Sequence, residues 1–334
     1  MKVIANWDVT TVEQELIDTM WPSDAEIIYT RKTSARAQSE ELDNARVIVG
    51  GANPELLNRA PKVELVQMLG HGIDGVLKHR DLLLQRGIKV ARANPASINI
   101  SEFVMMAMIA LSRRVLKMHE ALAYLGSWSP ERKAHRMEGA LGGELSGATL
   151  GLIGYGSISR EILRKAKAFD MQVGVLVRHP ERIDLKQEGI DFAEPAGRID
   201  QFLSRCRYVV LSLPLTDESR GLFNRERFSA MMPGSFLVNI SRGPIVDEAA
   251  LFEALQSGTI AGAALDVWIA EEAGRTNEYP SPYPLHQYNV LMTPHYCGAT
   301  RESRERAIAV AGDNIRRLMA SQPLLNIADL NVGY

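Results

Sequence analysis

The chain has 334 residues, of which 46% are hydrophobic and 23% charged, with a formal net charge of -2. That length exceeds one small core and fits two domains, and the ordinary composition fits a soluble globular protein. The near-neutral balance excludes a basic nucleic-acid footprint, and two cysteines far apart, Cys206 and Cys297, make neither a disulfide framework nor a zinc pattern.

The opening MKVIANWDVT lacks the long apolar stretch of a secretion signal, so a reducing cytoplasm is the expected compartment. No run of about 18 apolar residues suggests a membrane span. Residues 1–98 alternate short apolar runs with helical stretches: Val3-Ile4-Ala5, Glu26 to Tyr29, Ala45 to Val49, Val63 to Leu69 and Ile88-Lys89-Val90. Five strands with helices between them predict a small parallel α/β domain. The fourth run ends in Gly70-His71-Gly72-Ile73-Asp74, and ligands bind at the carboxyl ends of such strands. Asn94-Pro95-Ala96-Ser97 reads as a hinge, and the apolar Ile100 to Leu111 as a buried helix entering a second domain. Residues 120–147, with Trp128 and Pro130, read as an extended arm.

Ala148 to Arg178 is the most informative stretch. An apolar run, Leu150 to Ile153, turns through Gly154-Tyr155-Gly156-Ser157-Ile158-Ser159 into a helical pattern with Ile162, Leu163, Ala166 and Phe169, and a second run, Met171 to Val177, closes it. Strand, glycine turn, helix and strand at this length make one βαβ unit of the dinucleotide-binding kind. Gly154 makes the tight turn, Gly156 admits a pyrophosphate to the backbone, and the helix N-terminus faces the phosphates. Ser159 stands where a smaller residue is usual. An NAD-specific site would place Asp or Glu at the end of the second strand, whereas here Val177 is followed by Arg178-His179. A guanidinium suits a 2′-phosphate and the missing acid removes a repulsion, so the strand end predicts NADP, with NAD bound more weakly.

Further strands are expected at Tyr208 to Leu213, Phe236 to Ile240, Ala261 to Leu265 and Val290 to Met292. A final helix, Thr300 to Ala320, is expected to return to the first domain. The strand ends carry Arg242, then Asp266 with Glu271 five residues on, then His295. Arginine, acid and histidine at successive strand ends face one crevice by topology.

These motifs resemble the D-isomer-specific 2-hydroxyacid dehydrogenases over almost the whole chain. The resemblance rests on Gly72-Ile73-Asp74, Gly154-Tyr155-Gly156, Leu213-Pro214-Leu215-Thr216, Asn239 to Asp247, Leu265-Asp266-Val267 and Thr293-Pro294-His295. It implies an α/β fold of two doubly wound parallel-sheet domains. A Rossmann-type cofactor domain, residues 99–296, is inserted in a flavodoxin-like substrate domain built from 1–98 and 297–334. It also implies catalysis by Arg242, Glu271 and His295. Substrate binding falls on Arg242 and the backbone amides of His71 and Gly72. Cofactor contacts fall on Gly154, Gly156, Ser157, Ile158, Arg178, His179, Leu213, Pro214, Ile240, Asp266, His295 and Gly298, with no metal. Departures are Ser159, Arg207, Ser212, Trp268 and a proline- and glycine-rich segment from Glu272 to Leu285, of which Trp268 and the segment bear on the substrate pocket.

The implied chemistry is hydride transfer to a small 2-keto acid, most like that of glyoxylate and hydroxypyruvate reductases. Arg242 would grip the carboxylate and His295 donate the proton, with Glu271 favouring the imidazolium. Asp266 would either support that arrangement or simply cap its strand. Phosphoglycerate- and phosphite-type dehydrogenases share the scaffold, as do corepressor-like dinucleotide-sensing modules. The partners implied are a small 2-keto or 2-hydroxy acid and a second copy of the chain, docked through residues 100–118 and the Trp128 arm.

Overall fold

The computed structural model describes residues 1–30, 42–124, 126, 142–275 and 278–331. They divide into two compact units, Met1–Ala96 with Ala299–Tyr334, and Ser97–Gly298. Trp128, and with it most of the expected arm, lies outside the described residues. No helix among the described residues is long and apolar enough to cross a membrane.

The first unit is built on five parallel strands: β1 (Lys2–Asn6), β2 (Glu26–Tyr29), β3 (Ala45–Gly50), β4 (Leu65–Met68) and β5 (Lys89–Arg92). Their order is β2-β1-β3-β4-β5, the flavodoxin-like doubly wound arrangement. Alternate side chains feed opposite faces, as the two-residue period of a strand requires. Ile4, Ile48, Val66 and Val90 enter one buried cluster, and Val3, Ala5, Val47, Val49 and Ala91 the other. Thr10 caps the helix Thr11–Met20 in a capping box with Glu13, and Thr300 opens the long helix Arg301–Met319. The latter returns to this unit, as expected, packing Ile308, Ala311 and Ile315 against Val3, Ile17 and Trp21.

The second unit carries seven parallel strands: β6 (Thr149–Ile153), β7 (Gln172–Val177), β8 (Phe192–Pro195), β9 (Tyr208–Leu211), β10 (Ser235–Asn239), β11 (Ile260–Leu265) and β12 (Val290–Met292). The order β12-β11-β10-β9-β6-β7-β8 runs from β6 to β7 on one side and to β9 on the other, so the topological switch point lies at β6. Apart from β8, every strand here was expected. This four-residue edge strand is only half-buried along its length and ends in Pro195, so it carries neither a long apolar run nor full ladder pairing.

Two readings need correction. The helix Ser97–Ser112 buries Ile100, Val104, Met105, Met108 and Leu111 but leaves Ile98, Met106 and Ile109 exposed, so it is buried on one face only. Residues expected to start an extended arm instead continue a second helix, Val115–Ala123.

One buried polar staple secures the chain return of the first unit. The Asn314 amide donates to Gln67 Oε1 (2.6 Å) and to the Leu325 carbonyl (3.1 Å), and accepts from the Leu325 N–H (2.7 Å). Both amide side chains are fully buried. Asn314→Leu is expected to strand these groups and to cost about 1–3 kcal/mol. Chemical denaturation read by circular dichroism checks this; an unchanged midpoint would mean that the staple contributes nothing.

Candidate active site

The glycine turn follows β6 at the switch point. Gly154 has φ +94°, and a Cβ there would lie 2.4 Å from the Ser212 carbonyl oxygen, so only glycine lets the turn touch the end of β9. Gly156 caps the helix Ser157–Ala168 with no side-chain bond to its first turn, and the space a Cβ would enter is open. Ser157 and Ile158 supply the first helical amides. An unblocked twelve-residue helix N-terminus facing open space fits a dinucleotide pyrophosphate. Ser159, a departure from the usual pattern, secures the turn: the side chain is fully buried and its hydroxyl donates to the Gly154 carbonyl at 2.8 Å. Tyr155 points away, its phenol donating to Glu188 at 2.8 Å and pushed up to about 12 first by burial and then by that carboxylate.

Leu213 and Pro214 continue from β9 beside this turn. Arg178 follows β7 and is engaged, its Nη2 donating to Glu218 Oε2 at 2.7 Å, with both side chains largely in solvent. His179 Nδ1 lies 3.1 Å from Glu181. Glu218 was not anticipated. It sits on a loop stiffened by Ser219, whose hydroxyl donates to the Pro214 carbonyl (2.8 Å) and accepts from the Thr216 N–H (2.7 Å). An acid forty residues from its partner leaves no local sequence signal.

Arg242, Glu271 and His295 follow β10, β11 and β12, three neighbouring strands. Buried Asn239 shapes the first turn, its amide donating to the Arg242 carbonyl (3.0 Å) and its oxygen accepting from the Ser241 N–H (3.1 Å). Arg242 Nη1 donates to the Ser241 carbonyl at 2.6 Å, and Ile240 is buried behind it. A Cβ on Gly243 would lie 2.1 Å from the Trp268 carbonyl carbon, so the glycine lets the two turns touch.

His295 Nδ1 and Glu271 Oε2 lie 2.6 Å apart. The other carboxylate oxygen accepts from the Trp268 N–H at 2.7 Å, which fixes the acid in place. Neighbouring Glu272 is turned away, paired with Arg220 at 2.8 and 3.0 Å. The hydrogen bond to Glu271 raises the His295 pKa above its ordinary value against partial burial, and the charges of Glu271 and Asp266 add to this while Arg242 opposes it. Burial pushes Glu271 up, but the bonds from His295 and Trp268 and the charges of His295 and Arg242 leave it below the usual carboxylate value.

Asp266 acts from beneath. Fully buried, it accepts from Thr293 Oγ1 (2.6 Å), the Tyr296 N–H (2.7 Å) and the Cys297 N–H (3.1 Å). Its own carbonyl accepts from the His295 N–H at 2.8 Å. His295 has φ +55°, an unfavourable conformation for a side chain with a Cβ, and these bonds hold it there. Asp266 therefore supports the arrangement rather than simply capping its strand. Trp268 does likewise: it is buried, and its indole N–H donates to the Thr293 carbonyl at 2.9 Å. Asn99 adds a third hold, its amide donating to the Cys297 carbonyl at 3.2 Å, next to Gly298. His71 and Gly72 lie in the first unit, partly exposed after β4.

Residues 105–297 match the family described as D-isomer specific 2-hydroxyacid dehydrogenase, NAD binding domain. The chain is 32% identical to a glyoxylate reductase of Pyrococcus furiosus, over 78% of this chain and 74% of that protein. It is 30% identical to a D-3-phosphoglycerate dehydrogenase of Methanocaldococcus jannaschii over 87% of this chain, a match that spans about half (53%) of that protein. Among solved structures, the NADPH-dependent glyoxylate/hydroxypyruvate reductase of Sinorhizobium meliloti, in complex with NADP and sulfate, superposes with a TM-score of 0.80 at 25% identity, covering 100% of this chain and 99% of that one.

The His295–Glu271 pair makes a signed prediction. If His295 is the proton donor in a reduction, activity is present below its pKa and lost as pH rises through it. Glu271→Gln removes the largest cause of the raised value, so the falling limb of kcat against pH should move to lower pH. His295→Ala should instead lower kcat by about 10²–10⁴-fold. Superimposable profiles for wild type and the Gln variant would show that Glu271 does not control the histidine.

Proposed function

This chain belongs to the D-isomer-specific 2-hydroxyacid dehydrogenase family, and on that premise we propose that it reduces small 2-keto acids of the glyoxylate or hydroxypyruvate kind with NADPH. The observation that carries the reading is the hydrogen-bonded His295–Glu271 pair. It lies beside Arg242 on the sheet that also bears the glycine turn.

Each residue has a role that its chemistry supports. Arg242 offers a planar fork of donors for the substrate carboxylate and polarises the adjacent carbonyl. The amides of His71 and Gly72 are further carboxylate donors. NADPH, when bound, supplies the hydride. As negative charge develops on the carbonyl oxygen, imidazolium His295 gives up its proton there, and Glu271 keeps the ring charged and oriented until that moment. Gly154, Gly156, Ser157 and Ile158 form the pyrophosphate turn, flanked by Leu213 and Pro214. Arg178, with His179 beside it, meets the 2′-phosphate. Asp266, Ile240 and Gly298 line the nicotinamide end in this reading.

A 2′-phosphate must draw Arg178 from Glu218. The exchange is favourable because the pair is exposed and therefore weak, whereas a phosphate presents more charge and more acceptors to the same guanidinium. NAD has no such group and is the poorer cofactor. Both cysteines are buried free thiols, in keeping with a reducing compartment. A stripe of exposed apolar residues on the helices Ser97–Ser112 and Val115–Ala123, including Met106, Ile109, Val115 and Leu122, supports a homodimer through this surface.

The deciding assay follows nicotinamide absorbance with glyoxylate and hydroxypyruvate. Oxidation of NADPH in preference to NADH is the expected result, and no turnover of any keto acid would defeat the reading in favour of a dinucleotide-binding module. Arg178→Ala should weaken NADPH by on the order of 10- to 100-fold, the worth of a charged hydrogen bond, and spare NADH. Equal loss of both would remove Arg178 from the cofactor site. Light scattering at micromolar concentration should give a dimer mass, and a monomer would discount the apolar stripe.

A further inference from the structure

Arg92 ends β5 in the first unit. Its side chain is half-buried, and its Nε is buried with no hydrogen-bond partner. Among the described residues it forms no side-chain hydrogen bond or ion pair; only its backbone N–H is engaged, donating to the Asn326 carbonyl at 3.0 Å. Burial pulls its pKa below the usual arginine value, which marks a cation removed from water without compensation. A guanidinium left this way is costly unless an anion completes it.

Its position indicates which anion. Arg92 pairs in register with Met68, and the Ala93 N–H donates to the Met68 carbonyl at 3.0 Å. Two residues beyond Met68 the chain enters Gly70-His71-Gly72. Arg92 falls two residues after Val90 and so shares its face of the sheet. Ile73 and Val76, just past Gly72, pack into the same cluster as Val90 and Val66. The segment just past the loop proposed to hold the substrate carboxylate therefore packs on the face that Arg92 shares, at the carboxyl edge where ligands of such sheets bind.

We propose that Arg92 is a specificity residue that receives a second anionic group, so that the preferred substrate is a 2-keto acid bearing a distal carboxylate, sulfonate or phosphate. This deepens the keto-acid reading and rests on it. In the keto-acid reading the first carboxylate is assigned to the His71 and Gly72 amides and Arg242. A further cation in the first unit, unpaired among the described residues, is surplus for glyoxylate but matches a dianion. The shared chemistry is a tetrahedral or planar oxyanion, which a guanidinium binds through two parallel donors.

The test compares kcat/KM with NADPH for glyoxylate and hydroxypyruvate against oxaloacetate, 3-sulfopyruvate and 3-phosphohydroxypyruvate, which separate the three anion types. At least one dianion should exceed glyoxylate by tenfold or more. Arg92→Gln should reduce that dianion-to-glyoxylate ratio by on the order of 10- to 100-fold, mainly through KM, and Arg92→Lys should retain part of it. Wild-type selectivity for glyoxylate over every dianion would overturn the proposal without any variant, as would a ratio unchanged in Arg92→Gln. Failure of the enzyme to reduce any keto acid would instead defeat the underlying reading.

Discussion

The candidate site depends on a buried carboxylate that is not itself at the reacting end. Asp266 has no exposed surface, and a carboxylate in that position persists only if donors surround it. The donors come from one short segment: Thr293 Oγ1, Tyr296 N–H and Cys297 N–H. Satisfying Asp266 thus bends the chain after β12 around a fixed point and holds His295 in a left-handed backbone conformation that is uncommon for a residue with a Cβ. The local strain is offset by the bonds to Asp266, and the result is an imidazole presented to Glu271.

The second consequence is a separation of tasks between adjacent acids. Glu271 is tied by the Trp268 N–H on one oxygen and by His295 on the other. Glu272 is occupied by Arg220 and takes no part. Asp266 contributes to the histidine only through charge and scaffold. Three carboxylates within seven residues therefore have three environments, and the one with the short bond to the ring dominates its protonation. Trp268 belongs to this scaffold as well, its indole N–H held by the Thr293 carbonyl.

Much of this was legible in the sequence because parallel strands buried on both faces are continuous apolar runs, and because their ends carry the chemistry. Gly154 and Gly156 were legible for the same reason: their roles follow from backbone conformation alone. What escaped was relational. β8 is short, half-buried and closed by Pro195, so it lacks the apolar density that marks its neighbours. Glu218 becomes meaningful only when the β9 loop reaches Arg178. The choice between two roles for Asp266 needed the donors around it. Arg92, in a run Val90-Ala91-Arg92-Ala93, reads as an ordinary strand end, and only its buried Nε, without a partner among the described residues, distinguishes it.

The two arginines at strand ends, Arg178 and Arg92, stand in contrasting environments. Arg178 is exposed and has an acid beside it, so water and Glu218 satisfy it whether or not a phosphate is present. An anion arriving there exchanges one partner for another, and the gain is reduced by salt. Arg92 is half-buried, and its Nε has no partner among the described residues, so the free protein already bears the desolvation cost and an arriving anion meets a donor stripped of part of its water. Preorganisation of that kind converts a given contact into more affinity than an exposed pair delivers.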